Sequence, residues 1–331
     1  MKQSITIAGN IIVDSNKYIE IYPEEGHLSY VKHVKTSLGG CVPNTGISLK
    51  VIDPSINVMA MGLIGDDDNG IYALRIFNEE SINIDNIDII KGGSTSHVDA
   101  YVNTKNALRT FLVQEGVSQM FGTSIKPIKT PYLHVGYILL LPYLDEILDD
   151  GRTRMSHWLE DVSNQGVIIS ADIVSEESDR YQQVIASSLK FINHLIINEI
   201  EASRLSSIDV YNNGKLDVNQ LMECAKIIKE LGVKNYVVIH APSISIIHDG
   251  FHTTHLKSLN IPKESIVNTV GAGDAFCAAT LYGIMNKMRP KEILRLASCV
   301  AADVLMSQTP KPTLVSINDF LLLEKHFGRQ E

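Results

Sequence analysis

The sequence predicts an α/β fold built on a doubly wound, mostly parallel sheet with helices on both faces. Three observations support this prediction. From about residue 130 onward, short apolar strands alternate with helical patterns, as they do in parallel sheets. The 331 residues are 44% hydrophobic, which is enough for one large α/β domain or two smaller ones. Two weakly buried strand pairs, over 15–37 and 95–113, predict a small accessory sheet.

The first third of the chain otherwise follows the main fold. Apolar runs and turn signals predict a buried strand, a helix that ends before Pro54, a second buried strand, a turn, a helix and a third strand. In that order these elements cover residues 4–8, 42–52, 58–64, 66–70, 71–80 and 84–90. In the accessory sheet, Lys105-Asn106 marks the tip of a predicted hairpin.

The rest of the chain repeats strands and helices. Strands are predicted over 131–138, 167–171, 194–197 and 236–240, and helices over 144–164, 179–189 and 217–231. Asp249-Gly250 predicts a hairpin within 243–256. The last three helices are predicted over 274–287, 290–306 and 316–326.

Charge, cysteine content and hydropathy limit the function classes. The formal net charge is −9 and the basic residues are scattered, which argues against nucleic-acid binding. The four cysteines form no CxxC pair, which is typical of free thiols in a reducing cytoplasm. No apolar run approaches the roughly 20 residues that span a bilayer. We therefore expect a cytoplasmic protein without a membrane partner.

A glycine turn near the C-terminal end carries the strongest chemical signal. Gly271-Ala272-Gly273-Asp274 precedes the apolar run 275–285, which predicts a buried helix. Backbone amides at a helix start lack partners and form an anion site. A carboxylate there would repel a resting phosphate, but it could take a proton from a hydroxyl that attacks a phosphoryl group. The alternative is an ordinary helix start with an acidic first-turn residue.

Six motifs, in order along the chain, resemble those of the ribokinase-like (PfkB-type) carbohydrate and nucleoside kinases. The resemblance covers almost the whole length. The most specific motif is Thr269-x-Gly271-Ala272-Gly273-Asp274, followed by Ala275-Phe276. The other five are Gly9 with Asp14, Gly39-Gly40-x-x-x-Asn44, Gly62-Leu63-Ile64-Gly65-Asp66-Asp67 with Gly70, Arg109-Thr110, and Asn198-x-x-Glu201.

The resemblance implies a ribokinase-like large domain with a small β-sheet lid, and transfer of the ATP γ-phosphoryl group to a hydroxyl. The large domain would comprise residues 1–13, 38–91 and 117–331, and the lid residues 14–37 and 92–116.

Catalytic roles follow from the same resemblance. Asp274 would be the general base, and the amides of Gly271, Ala272 and Gly273 would form the anion hole. Thr269 would join Gly271 and Gly273 in binding the nucleotide.

Five residues would hold the acceptor, again by resemblance: Asp14, Gly39, Gly40, Asn44 and Arg109. A carboxylate accepts hydrogen bonds from two hydroxyls, and an amide both donates and accepts, so Asp and Asn together suit a polyol. The alternatives are capping roles for the Asp and the Asn, and an exposed lid charge for the Arg.

Asn198 and Glu201 would act through water on Mg2+, and Asn198 also on the ATP phosphates. The two residues are three apart and therefore share a face of a helical turn. A helix cap with an exposed Glu is the alternative. Asp172 ends another strand and could join this metal network or cap a helix. Tyr137 and Leu141 could flank the acceptor, although core packing is the favoured interpretation.

Three departures from the family pattern matter. Asn268 replaces an Asp that commonly touches a monovalent-cation loop, so activation by K+ is not expected, although it stays open. The stretch 240–245 lacks a glycine-rich turn, so adenine contacts cannot be named. No Lys follows Gly39-Gly40 and no Arg or Lys cluster lies nearby in sequence, which favours an unphosphorylated acceptor.

Together these features predict an ATP- and Mg2+-dependent kinase of an unphosphorylated sugar or related polyol. The first alternative is a nucleoside kinase on the same fold, with Tyr18, Tyr22 or Phe111 stacking on a base. The second is a non-catalytic sugar-binding regulator. The open edges of the lid strands predict a homodimer formed through the lid.

Overall fold

A nine-stranded sheet forms the centre of the molecule. The computed structural model describes residues 3–105, 108–178 and 180–331. Across the sheet the strands lie in the order β15-β14-β13-β10-β9-β8-β1-β4-β5. Their bounds are β1 Ser4–Ala8, β4 Asn57–Gly65, β5 Asn83–Ile90, β8 Tyr132–Ile138, β9 Ile168–Ile173, β10 His194–Asn198, β13 Tyr236–His240, β14 Ile244–His248 and β15 Thr253–Lys257. All neighbours pair in parallel except β13–β14 and β14–β15, which form the hairpin predicted at Asp249-Gly250.

Helices cover both faces of this sheet, as predicted. Their bounds are α1 Cys41–Ile52, α2 Asp68–Glu79, α3 Pro142–Asp145, α4 Arg154–Asn164, α5 Tyr181–Leu189, α6 Glu199–Ser206, α7 Val218–Glu230, α8 Ala272–Met285, α9 Pro290–Leu305 and α10 Ile317–Phe327. One hydrophobic cluster joins the sheet to α1, α2, α8, α9 and α10, and a second joins it to α3 through α7.

Strand β10 shows how the sequence produces two cores. Its side chains alternate between the faces of the sheet, because successive residues of a strand point in opposite directions. Ile196 lies in the first cluster, whereas Leu195 and Ile197 lie in the second. A strand buried on both faces therefore reads as a continuous apolar run, which is why the parallel strands were visible in the sequence.

A separate four-stranded sheet, ordered β3-β2-β6-β7, forms the predicted accessory sheet. Its strands are β2 Ile12–Ile19, β3 Val31–Gly39, β6 Ser96–Asn103 and β7 Arg109–Gln114. Two of its pairings are antiparallel, while β2 and β6 run parallel. All six residues of β7 are exposed. We call this sheet the lid sheet. The exact division into domains stays a prediction, and Asn106 of the predicted hairpin tip lies outside the described residues.

The helix predicted over 144–164 is wrong in its first half. The chain forms the short α3, then a turn closed by an antiparallel bridge between Ile147 and Thr153, and only then α4. Gly151 has a left-handed φ of 78°, which interrupts a helix, and Thr153 caps α4 by accepting from the amide of Ser156. Two elements are additions: α6, and a hairpin of β11 Tyr211–Asn212 and β12 Lys215–Leu216.

The parallel strands bring their carboxyl ends to one edge of the sheet. Ligand sites of doubly wound folds lie at this edge. Strands β8, β9, β10 and β13 end at this edge, and helix α8 begins there. These strand ends carry Tyr137, Asp172, Asn198 and His240. In the described part of the chain, no helix is both long and apolar enough to cross a membrane.

Candidate active site

Asp274 lies in the first turn of α8, where the sequence predicted a catalytic carboxylate. Gly271 is the N-cap residue and has a left-handed φ of 82°, and a side chain there would clash with the carbonyl of Pro310. The turn therefore requires glycine at this position. Helix α8 is apolar on nearly every side and packs between α1 and α9, so the Asp274 carboxylate is only 7% exposed.

Two side chains from different elements hold the Asp274 carboxylate. The amide nitrogen of Asn44, in α1, donates to Oδ2 over 3.0 Å. The hydroxyl of Tyr137, near the end of β8, lies 3.0 Å from Oδ1 and 2.9 Å from Oδ2. Burial raises the pKa of Asp274 to about 7, and the nearby negative charge of Asp172 adds to this. The bonds from Tyr137 and Asn44 act in the opposite direction.

Tyr137 is held in place by an unusual backbone conformation. Its φ is 61°, in the left-handed region, and its amide donates to Oδ1 of Asp172 over 2.5 Å. Asp172 ends strand β9, so a neighbouring strand stabilises the strained residue. Burial raises the pKa of Tyr137 well above its usual range, so the hydroxyl stays protonated and donates to Asp274.

Tyr137 packs against the first hydrophobic cluster, as the favoured interpretation predicted, and its hydroxyl in addition contacts Asp274. Leu141 is fully buried in the core. Asp172 makes no helix cap in the structure. Its Oδ2 lies 3.2 Å from Nε2 of the buried His134. Together with Cys41, these two side chains form the one group in the described chain that offers three possible metal ligands at close range.

Asn198 and Glu201 form a capping box at the start of α6. Asn198 Oδ1 accepts from the amide of Glu201 over 2.9 Å, and Glu201 Oε2 accepts from the amide of Asn198 over 2.9 Å. Ser175 donates to Glu201 Oε1 over 2.8 Å. The cap predicted as the alternative is thus present, but Glu201 is 4% exposed rather than solvated. Burial raises its pKa to about 8.

A cavity of about 180 Å³ connects these two groups. Its polar lining includes Tyr137 and His240 as well as five residues with carboxylate, amide or hydroxyl oxygens: Asp172, Ser175, Asn198, Glu201 and Asp274. Carboxylate, amide and hydroxyl oxygens are the donors that Mg2+ prefers. The lining thus fits a hard divalent cation, although both Glu201 oxygens already accept hydrogen bonds.

A more apolar cavity of about 420 Å³ adjoins the first one. Gly273 and His240 line both cavities, and Thr269 lines the second. A Cβ at Gly273 would meet nothing nearer than His240 at 3.6 Å, so the packing of the fold does not require glycine here. The missing side chain instead leaves space in the cavities for a ligand. His240 packs its ring on Phe276, and burial lowers its pKa to about 4, which keeps it neutral.

The predicted acceptor residues fall into two places. Asp14 and Arg109 line an open cleft of about 470 Å³ between the lid sheet and residues 267–270 and 308–310. We call it the lid cleft. The Asp14 carboxylate lies directly over Gly39, where any side chain would clash, and burial raises its pKa to about 6.

Asn44 and Asn268 differ from this picture. Asn44 contacts Asp274 instead of the cleft, and Gly40 is the N-cap of its helix α1. Asn268 lines the lid cleft, and its side chain exchanges hydrogen bonds with the backbone of Val270. The expectation that K+ does not activate the protein stays a prediction.

The sequence profile of the pfkB family carbohydrate kinases matches residues 2–313. This chain belongs to that family. Its fold and sequence make it a sugar kinase, a phosphotransferase with an alcohol group as acceptor, as predicted. The predicted family resemblance is confirmed over nearly the whole chain.

Individual relatives show how far the likeness extends. Ribokinase of Dictyostelium discoideum is 23% identical over 91% of this chain and 94% of its own length. ATP-dependent ribose-1-phosphate kinase of Halopiger xanaduensis is 22% identical over 82% of this chain and 81% of its own length. Arabidopsis thaliana ribokinase, solved with ribose and ATP, superposes with a TM-score of 0.78 at 19% identity, covering 97% of this chain and 99% of that one. At such identity the superposition shows the fold alone.

Proposed function

We propose that this kinase transfers the γ-phosphoryl group of ATP to a hydroxyl of a sugar or related polyol, with Asp274 as general base. The observation that carries the proposal is the position of Asp274. Its buried carboxylate lies in the first turn of α8 and lines the polar cavity, which shares Gly273 and His240 with the apolar cavity. The turn that precedes α8 contributes Asn268 and Val270 to the lid cleft.

The proposed step balances as follows. The acceptor hydroxyl loses its proton to the Asp274 carboxylate, and the acceptor oxygen forms a bond to the γ-phosphorus. The bond between that phosphorus and the β–γ bridging oxygen breaks, and ADP leaves. A pKa near 7 suits this role, because about half of the Asp274 carboxyls are ionised at neutral pH and the carboxylate still binds a proton readily.

The start of α8 would stabilise the charge that develops. The amides of Gly271, Ala272 and Gly273 lie at the positive end of the α8 dipole. Hydrogen bonds from preorganised amides to a transferring phosphoryl group typically lower the barrier by a few kcal/mol, roughly 3 in measured cases. This anion hole needs backbone access only, which fits a turn built of glycine and alanine.

Mg2+ would be held in the carboxylate-lined cavity by Glu201 and Asn198 through water, with Asp172 nearby. When bound, the cation neutralises phosphate charge. A cation there would also favour the ionised form of Glu201, whose pKa of about 8 leaves it protonated at neutral pH. The apolar cavity with Thr269, Gly273 and Phe276 is the proposed nucleotide site, since an adenine needs apolar faces.

A nucleoside acceptor is the second candidate. Tyr18 and Phe111 line the lid cleft and could stack on a base, although Tyr18 already stacks on His33 with ring centres 4.0 Å apart. Tyr22 instead lines a different pocket and packs edge-on against Tyr101 of the lid.

An ATP-consumption screen over sugars and nucleosides, with wild type and Asp274→Asn, tests the proposal. The variant should lose about 10²- to 10⁴-fold in kcat, the usual contribution of a general base. Asp68→Asn is the matched control, since Asp68 is an exposed first-turn acid of α2. Undiminished turnover by Asp274→Asn would refute the mechanism, and turnover of nucleosides only would favour the second candidate.

Assembly and location are further proposals. The exposed β7 carries Phe111, Leu112 and Val113, each more than half exposed, at an open edge of the lid sheet. We propose that two copies pair through the lid in a cytoplasmic homodimer. Light scattering at micromolar concentration should give twice the 36.6 kDa chain mass, and a monomeric mass would refute the pairing.

A further inference from the structure

The lid cleft is lined by one face of the lid sheet, and the pairing register shows which residues share it. In β2 these are the even-numbered residues from Asp14 to Tyr18, and in β3 the odd-numbered residues that pair with them. Three pairs of directly opposite residues, which we call rungs, face the cleft on these two strands: Asp14 with Ser37, Asn16 with Lys35, and Tyr18 with His33. On the same face, pairing through β6 to β7 continues the Asn16 rung to Phe111 and the Tyr18 rung to Arg109.

This face concentrates positive charge. Lys35, Arg109 and His33 line the cleft, and among the described residues of the lining Asp14 is the only acidic one. The whole chain, in contrast, has a formal net charge of −9. A cationic cleft on an acidic protein attracts anions and focuses them locally.

The ion pairs of the lid strands lie on the opposite face. Lys17 contacts Asp99 at 2.5 Å, and His97 contacts the same carboxylate at 2.8 Å. These residues have the opposite parity in β2 and β6, and therefore point away from the cleft. The Lys35 ammonium instead donates to the backbone carbonyl of Gln308 over 3.3 Å, across the cleft. A neutral carbonyl leaves the lysine charge available to a ligand.

The charges are arranged by distance from Asp14. Successive rungs on one face of a strand are about 7 Å apart. Asp14 occupies the innermost rung, beside Gly39; Lys35 lies one rung outward, and His33 and Arg109 lie two rungs outward. Lys35 lies on the edge strand β3 and Arg109 on the opposite edge strand β7. A sugar whose hydroxyls bind Asp14 would thus extend its far end between these two charges.

We infer that the acceptor is an anionic sugar, with hydroxyls on Asp14 and a carboxylate or phosphate group held by Lys35 and Arg109. Guanidinium and ammonium groups bind both of these anions. The inference rests on the proposed function, whose acceptor it specifies. The sequence analysis found no Arg or Lys cluster beside the Gly39-Gly40 motif, and in the folded chain Lys35 and Arg109 come to the same cleft from separate lid strands. A sugar acid would still be unphosphorylated, as the sequence favoured.

Calorimetric binding in the presence of a non-hydrolysable ATP analogue tests the inference without requiring turnover. The probes are D-gluconate with D-glucose as its neutral match, and ribose 1-phosphate and ribose 5-phosphate with D-ribose. The anionic member of at least one set should bind roughly 10- to 100-fold more tightly, the effect of one charge-assisted hydrogen bond. Preference for gluconate identifies a sugar acid, and preference for a ribose phosphate identifies a sugar phosphate.

Variants assign that preference to the cleft. Lys35→Met and Arg109→Met should each weaken binding of the anionic probe about 10-fold or more and leave its neutral match unchanged. Lys17→Met is the control on the opposite face and should change neither. Equal or tighter binding of the neutral sugars, or anion binding that both cleft variants preserve, would overturn the inference. The proposed function would survive that result if Asp274→Asn still abolished phosphorylation of a neutral sugar.

Discussion

The two acidic residues proposed to act on the acceptor lie in contrasting surroundings. Asp274 is buried in the main domain, and both of its oxygens accept hydrogen bonds from side chains on separate elements. Asp14 faces an open cleft between the lid sheet and residues 267–270 and 308–310. Burial raises the pKa of both carboxyls, to about 7 and about 6. The contrast suggests a division of labour in which the rigid core supplies the chemistry and the lid selects the acceptor.

The glycines of the α8 turn give the sharpest test of this division. Gly271→Ala should destabilise the protein by roughly 1–3 kcal/mol, because it forces a side chain into a left-handed φ and against Pro310. Gly273→Ala should keep or slightly raise stability, since Ala favours a helix and meets His240 only at 3.6 Å.

The affinity for ATP should also distinguish the two glycine variants. Gly273→Ala adds a methyl group between the two cavities and should raise the KM for ATP about 10-fold or more. Thermal unfolding and ATP kinetics measure both effects. Equal loss of stability in the two variants would contradict the assignment of Gly273 to the ligand rather than to the fold.

Tyr137→Phe tests how the main domain sets the pKa of Asp274, and its expected effect on activity is smaller. The variant removes a hydrogen bond that favours the ionised form of Asp274, so the pKa of Asp274 should rise and activity should need a higher pH. At pH 7 we expect a loss of roughly 10-fold. Tyr132→Phe, on the same strand β8, is the control. A pH profile that does not move would show that the hydroxyl only fills space.

A further expected effect concerns stability against pH. The Asp274 carboxyl stays protonated to about pH 7 in the folded state, but ionises near pH 4 in the unfolded chain. Between pH 4 and pH 7 the folded state therefore binds more protons than the unfolded chain. The contribution of the Asp274 carboxyl to the free energy of unfolding is thus present below pH 4 and is lost as the pH rises to 7.

Asp274→Asn should remove this slope, which is at most about 1.4 kcal/mol per pH unit. Denaturant titrations should show the variant gaining stability over wild type between pH 4 and 7 and levelling off above. A difference that stays constant across this range would contradict the raised pKa.

The sequence predicted the two regions unequally well. The glycine turn and Asp274 were visible because their conformation is local: a left-handed glycine followed by an apolar helix. The sequence does not predict the contact between Tyr137 and Asp274, since the orientation of Tyr137 depends on a strained φ. Asp172, 35 residues away in the next strand, stabilises this conformation by accepting from the Tyr137 amide. The role of Asp172 is hidden in the sequence for the same reason.

The lid shows a similar limit. The alternation of His33 and Lys35 along one strand is visible in the sequence, but which face meets the cleft depends on pairing with β2. The helix predicted over 144–164 was wrong for a different reason. The sequence carries an Asp-Asp-Gly turn signal at 149–151, and the turn forms there in spite of the helical periodicity around it.

The pH dependence of kcat/KM tests the central claim most directly. With both substrates below saturation, kcat/KM reports the ionisation of groups in the free enzyme. If Asp274 is the base, activity should be low in acid, rise through about pH 7 as the carboxyl ionises, and reach a plateau above it. Wild-type activity that is flat from pH 5 to 9, or that falls as the pH rises through 7, would contradict Asp274 as the proton acceptor.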